Sequence, residues 1–166
     1  MELEAAKSMW EGKATAVLRR STPEFAWSLI ENFFDLHSWL PSIRTCSRLD
    51  GGDGGALVRH CSSGEGGDAK WCYEKLVGMD PIEMRLSYAA LDNNLGLRNY
   101  RSTMKVLDGG GDGGCRIEWS FSSDPIEGMK CEDMVDYLDA SLRGMADNME
   151  KAFLQSSNQN DVVFVL

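Results

Sequence analysis

The stretch Cys115-Arg116-Ile117-Glu118-Trp119-Ser120-Phe121-Ser122-Ser123 alternates almost without a break. Cys115, Ile117, Trp119 and Phe121 fall on one side, and Arg116, Glu118, Ser120 and Ser122 on the other. A period of two with one apolar face describes a half-buried β-strand. Upstream lie segments of the same kind: Ile43 to Leu49, Ala56 to Ser62, Ala69 to Val77, Glu83 to Leu91 and Leu97 to Leu107. Acidic, glycine-rich turns separate several of them, including Asp50-Gly51-Gly52-Asp53-Gly54-Gly55, Gly64-Glu65-Gly66-Gly67 and Asp108-Gly109-Gly110-Gly111-Asp112-Gly113-Gly114. Short connections require antiparallel neighbours, since parallel strands need long crossovers. A phosphate-cradling loop would lead into a helix N-terminus; these runs join strand to strand and carry acid, so they read as turns.

Working outward, Trp10, Gly12, Ala14, Ala16 and Leu18 alternate with polar residues and predict a first strand. Ser21-Thr22-Pro23-Glu24 supplies a helix start, with a capping hydroxyl before Pro and Glu. A second short helix, Phe33 to Leu40, stops at Pro41. After the last strand the period changes. Met134, Tyr137, Leu138, Ser141, Leu142, Met145, Met149, Ala152 and Phe153 recur at three and four, the stripe of a long helix. The sequence thus predicts an α+β helix-grip fold: a seven-stranded bent antiparallel sheet around a long C-terminal helix, with two short helices after the first strand. Residues 1–155 read as one ligand-binding domain and 156–166 as a C-terminal tail, ending in the apolar Val162-Val163-Phe164-Val165-Leu166.

Composition narrows the function. The chain has 166 residues, 43% of hydrophobic type, enough for one core. A formal charge of −9 disfavours nucleic acid and anionic lipid as partners. No stretch has the apolar length to span a bilayer, and the charged Met1 to Lys7 does not resemble a signal peptide, so a cytoplasmic protein is expected. Five dispersed cysteines without a C-x-x-C pair read as reduced thiols, mostly packed as small hydrophobes. His37 and His60 have no metal-ligand spacing with them, so no metal is expected.

Hairpin arithmetic then locates a polar group on the apolar face. Opposed residues have numbers that sum to a constant set by the turn. Arg59 is expected almost opposite Glu74, Glu74 near the level of Leu86 and Tyr88, Tyr88 opposite Tyr100, Phe121 level with Tyr100, and Trp119 beside Ser102. Parity turns Leu57, Arg59, Cys61, Cys72, Glu74, Leu76, Met84, Leu86, Tyr88, Tyr100, Met104 and Val106 inward, with Arg98 at the end of its strand. A buried charge is costly unless it is paired and hydrogen-bonded. Arg59 and Glu74 therefore read either as an internal salt bridge or as the polar end of a ligand cavity walled by Tyr88, Trp119 and Phe121.

The sequence also resembles a family. Trp10-x-Gly12-Lys13, Pro23-Glu24-x-Ala26-Trp27, Leu36-His37, Pro41-Ser42 and Cys46 look like the N-terminal third of plant lachrymatory factor synthases, of the Bet v 1/START-like (polyketide cyclase/dehydrase) superfamily. Downstream, Val58-Arg59, Glu74-Lys75-Leu76-Val77, Ser87-Tyr88, Tyr100-x-x-Thr103-Met104, Trp119-Ser120-Phe121 and Ile126-Glu127-Gly128-Met129 match in order and spacing. The resemblance implies a cofactor-independent isomerase that rearranges a small sulfenic acid to a thial S-oxide. It implies Arg59, Glu74 and Tyr100 as catalytic residues and Leu57, Leu86, Tyr88, Trp119, Phe121 and Ser141 as substrate-binding residues. Lys70 and Ser141 stand where that family has large aromatics. The partners expected are a small hydrophobic or sulfur-containing ligand, no nucleic acid and no membrane, on a monomer or weak dimer.

The alternative is a non-catalytic carrier of a hydrophobic plant metabolite, which needs only the cavity. The related hormone receptors fit less well: their Ser-Gly-Leu-Pro-Ala gate and His-Arg-Leu latch are absent, and Asn94-Leu95-Gly96-Leu97 occupies the place of the latch.

Overall fold

The computed structural model describes residues 8–49, 55–64, 66–109 and 113–165, with side chains described through residue 157. The signal-peptide question at Met1 to Lys7, the turn residues Asp50 to Gly54, Glu65, residues 110–112 and Leu166 lie outside them. The described chain forms β1 (Trp10–Leu18), α1 (Pro23–Ile30), a 3-10 segment (Phe33–Ser38), β2 (Thr45–Arg48), β3 (Val58–Ser62), β4 (Trp71–Asp80), β5 (Arg85–Asn93), β6 (Arg101–Asp108), β7 (Cys115–Ser123) and α2 (Cys131–Val165). One seven-stranded antiparallel sheet has the order β1-β7-β6-β5-β4-β3-β2. This is the expected architecture, with the second short helix wound as 3-10.

Capping sets the start of α1. Thr22 Oγ1 accepts from Phe25 N at 3.1 Å, and Pro23, which lacks an N–H, opens the helix. The connection before it is held to α2, because the Glu150 carboxylate accepts from Arg20 N at 2.6 Å and Ser21 N at 3.2 Å.

Residue size on β1 decides where α2 lies. Gly12, Ala14 and Ala16 share the inner face of β1, and α2 crosses this strand more closely than any other. A Cβ on Gly12 would sit 2.6 Å from Val135 Cγ2 and 2.7 Å from the Phe121 ring. The stripe Leu138, Leu142, Met145 and Met149 is fully buried beneath the sheet. At the other side of the helix Gly144 admits Pro41, and Asn148 Nδ2 donates to Trp39 O at 2.9 Å, which anchors the chain after the 3-10 segment.

Several expectations are corrected. Tyr88 lies opposite Ser102 rather than Tyr100, Phe121 opposite Ser102, Trp119 opposite Met104, and Glu74 opposite Ala90. Asn99 takes a positive φ of 53°, a conformation asparagine tolerates, so β6 begins at Arg101 instead of Leu97. That bend leaves Arg98 exposed. Tyr137 is also exposed, at the rim, where its hydroxyl is 3.3 Å from Ser42 Oγ, and Val135 takes the inner position near β1. The stretch from 156, expected as a tail, continues α2 to Val165.

The close approach at Gly12 gives an expected outcome. Gly12→Val forces α2 away from β1 and should cost about 1–3 kcal/mol in urea unfolding. Gly78→Ala, at a position with nothing within 4 Å of an added Cβ, should stay within about 0.5 kcal/mol of the parent.

Candidate functional site

Arg59 on β3 faces Glu74 on β4, as the turn arithmetic predicts. The Arg59 side chain is 4% exposed and that of Glu74 14%. Arg59 Nε donates to Glu74 Oε1 at 2.8 Å, and Nη2 forms an ion pair with the same oxygen at 2.7 Å. Nη1 donates to the carbonyl of Phe33 at 2.8 Å. The guanidinium carbon lies 3.9 Å from the centre of the Phe33 ring and 4.9 Å from that of Tyr88. Such faces attract a cation, most when it is desolvated. Burial is the largest single influence and disfavours the charge of Arg59, but Glu74, Cys61 and Tyr88 together outweigh it and hold the group above its ordinary pKa. Cys61 Sγ stands 3.8 Å from the same carboxylate oxygen.

A second polar cluster lies in the core. Trp119 Nε1 donates to Ser102 Oγ at 2.7 Å, with Tyr88 Oη 3.2 Å away, and Ser102 Oγ donates to Ser120 O at 2.8 Å. The indole reaches Ser102 diagonally, although Met104 is its direct partner. Tyr100 stacks on Phe121, ring centres 5.9 Å apart. Burial pushes both Tyr88 and Tyr100 upward in pKa; for Tyr100 a hydrogen bond to Ser102 opposes this and the Glu74 charge adds to it.

The two clusters flank a cavity. Leu36 and Trp39 roof it, Arg59, Leu86, Tyr88 and Met104 wall it, and Met145 of α2 closes it. Its volume is about 10 Å³, enough for about one water molecule. The expected pocket is therefore a nearly filled space. The larger hollow, about 600 Å³, is an open depression on the outer face, lined by Lys13, Arg101 and Thr103 among others. It contains neither Arg59 nor Glu74.

Of the residues predicted for the site, Arg59, Leu86 and Tyr88 line the cavity, and Glu74 joins through Arg59. Tyr100 and Trp119 are buried in the adjoining core, and among the described residues no hydrogen bond joins Tyr100 to Arg59 or Glu74. Phe121 is a core residue that also borders the outer depression. Leu57 and Ser141 are half-buried and do not line the cavity. Sequence reasoning missed Phe33, whose contribution is a backbone carbonyl, and Trp39. The indole Nε1 of Trp39 is buried with no partner among the described residues. Ser102 could have been found, being a polar residue at inward parity between Tyr100 and Met104.

Among the described residues no cluster of three or more His, Cys, Asp or Glu could hold a metal ion. No described helix is long and apolar enough to cross a membrane.

Two outcomes follow from this geometry. Glu74→Ala strands the Arg59 charge and should cost about 3–5 kcal/mol in urea unfolding, whereas Arg59→Leu combined with Glu74→Leu should recover much of the loss. Tyr88 and Tyr100 keep their protons in the folded chain at pH values where the unfolded chain releases them. The unfolded state then binds fewer protons, so stability should fall as pH rises above about 10. Melting temperatures across that range check this, and Tyr100→Phe should flatten the slope.

Comparison with known proteins agrees with this architecture. Residues 9–150 match the family described as polyketide cyclase / dehydrase and lipid transport. The solved structure of the protein XoxI from Bacillus cereus superposes with a TM-score of 0.71 at 24% identity, covering 89% of this chain and 97% of that one. An uncharacterized protein from Bacillus thuringiensis gives 0.69 at 24% identity, covering 87% and 98%. At that identity the two structures speak for the fold, and the family suggests a small hydrophobic ligand. The chain belongs to the polyketide cyclase/dehydrase and lipid transport family.

Proposed function

We propose that this protein is a cofactor-independent isomerase of the lachrymatory factor synthase type, acting on a small sulfenic acid or a similarly proton-mobile molecule. One observation carries the proposal: a buried Arg59–Glu74 pair abuts an interior cavity whose lining also includes Trp39, its indole N–H without a partner among the described residues. Arg59 donates one N–H to Glu74 and one to Phe33 and pairs a third nitrogen with Glu74, which leaves further N–H groups to hold a substrate oxygen. Both Arg59 contacts fall on Glu74 Oε1, so Oε2 is assigned as the base. In the reaction Glu74 takes the proton from the S–O–H group and returns it to the alkene carbon remote from sulfur. The O–H bond breaks, a C–H bond forms, and the double bond moves to carbon and sulfur, with no change in composition. Leu86 and Tyr88 are assigned to shape the wall; Tyr100, assigned to orient the oxygen, and Leu57, Trp119, Phe121 and Ser141 would meet the substrate only in an enlarged cavity.

A cavity of about 10 Å³ cannot hold such a substrate unless the roof moves. The 3-10 segment contributes Leu36 to the lining, and its residue Asp35 departs from helical geometry. Entry beneath this segment also suits the alternative, a carrier of an apolar metabolite.

Turnover distinguishes the two. Purified protein should convert a 1-alkenyl sulfenic acid generated in situ to the thial S-oxide. Glu74→Gln keeps an acceptor for Arg59 but cannot move the proton, and should slow turnover by about 10²-fold or more with an unchanged circular dichroism spectrum. Equal rates in the two proteins would sink the enzymatic reading. An apolar ligand retained in native mass spectrometry, with no turnover, would establish the carrier instead.

A further inference from the structure

Cys46 and Cys61 are direct partners across β2 and β3. Leu49 N donates to Val58 O at 2.9 Å, which marks that pair as hydrogen-bonded. Alternation along the unbroken register makes Cys46 and Cys61 a non-hydrogen-bonded pair, the kind whose side chains approach most closely. Their sulfurs are 3.9 Å apart, and a side-chain rotation can close that gap to the ~2.04 Å of a disulfide. Both are free thiols; Cys46 is half-buried and Cys61 buried.

The surroundings divide the labour between them. Facing Cys46 are Cys61 and Arg59 from β3 and His37 from the 3-10 segment, with Arg48 two residues along its own strand and Glu74 beyond Cys61 on β4. The Cys61 thiol donates to the Cys46 sulfur and, against the cost of burial, brings it down to about 6, with the Arg59 charge helping. Cys61 is pushed up by that same bond, by burial and by Glu74. The arrangement favours the thiolate on Cys46 and the proton on Cys61.

We propose that Cys46 is a modification site for hydroperoxides, with Cys61 as the thiol that captures the product. The Cys46 thiolate attacks the outer oxygen of the hydroperoxide; an S–O bond forms, the O–O bond breaks, and the alcohol or water leaves after taking a proton. Cysteine is oxidised to sulfenic acid and the peroxide is reduced. Cys61 then attacks the Cys46 sulfur, the S–O bond breaks, and hydroxide leaves with the Cys61 proton as water. The disulfide that results draws the Cys61 sulfur from Glu74 Oε1. This inference does not rest on the isomerase reading.

The test treats reduced full-length protein with one equivalent of hydrogen peroxide at pH 7. The intact mass should fall by two hydrogens, and peptide mapping should find a Cys46–Cys61 cross-link. In Cys61→Ser the reaction should stop at a Cys46 sulfenic acid that dimedone captures. A separate measurement on the parent protein keeps the idea exposed should that variant not fold. Iodoacetamide labelling of Cys46 should reach half its maximal rate at a pH of about 6. A cross-link between other cysteines, dimedone on Cys131 in place of Cys46, or a labelling midpoint at the ~8.5 of a free thiol would overturn the proposal.

Discussion

A guanidinium removed from water has to find opposite charge, hydrogen-bond acceptors and polarisable neighbours at once. Arg59 is the one buried charged side chain among the described residues. Its requirements are met by three parts of the chain. Glu74 supplies the charge from β4, the Phe33 carbonyl supplies an acceptor from the 3-10 segment, and Phe33 and Tyr88 supply ring faces. Binding the Phe33 carbonyl also positions the segment that roofs the cavity. Stability of the pair and shape of the site are thus a single problem.

The opposite end of the molecule follows a steric rule. Small residues on β1 let α2 lie close, and the helix sends Met145 down to close the cavity. Where the helix turns to the outer loops, Gly144 and Asn148 hold Pro41 and Trp39 against it. The roof is accordingly tied to the sheet through Arg59 and to the helix through Asn148. Methionines at 104 and 145 line the space between, and their flexible thioethers adapt readily to changes in its contents.

Fold and face orientation were legible because they depend on parity. Pairings around Tyr88, Trp119 and Phe121 came out two residues away from the turn arithmetic, yet an even slip leaves every side chain on the same face. Arg59 and Glu74 were found for that reason. Phe33 was not, because a carbonyl acceptor has no signature in side-chain identity. Leu57 and Ser141 were expected at the cavity through family resemblance, and local packing puts them outside its lining. Cavity volume was also beyond the sequence, since periodicity tells which residues meet and not how tightly. The end of α2 was beyond the sequence as well: the apolar stripe is followed only to Phe153, whereas the backbone stays helical to Val165.

The pairing of β1 with β7 has a consequence for how the chain reaches this state. Trp10 bonds into the sheet beside Ser123, so the first strand joins the last across almost the whole sheet-forming sequence. Local hairpins from β3 to β7 can assemble in succession as synthesis proceeds, while β1 has no partner until β7 has emerged. Closing so long a loop is entropically expensive before any contact rewards it, which makes docking of the N-terminal strand a late and slow event. Through that interval the edge of β7 stays unpaired and α2 lacks the strand it packs on most closely, so the period of greatest aggregation risk is set by topology rather than by final stability.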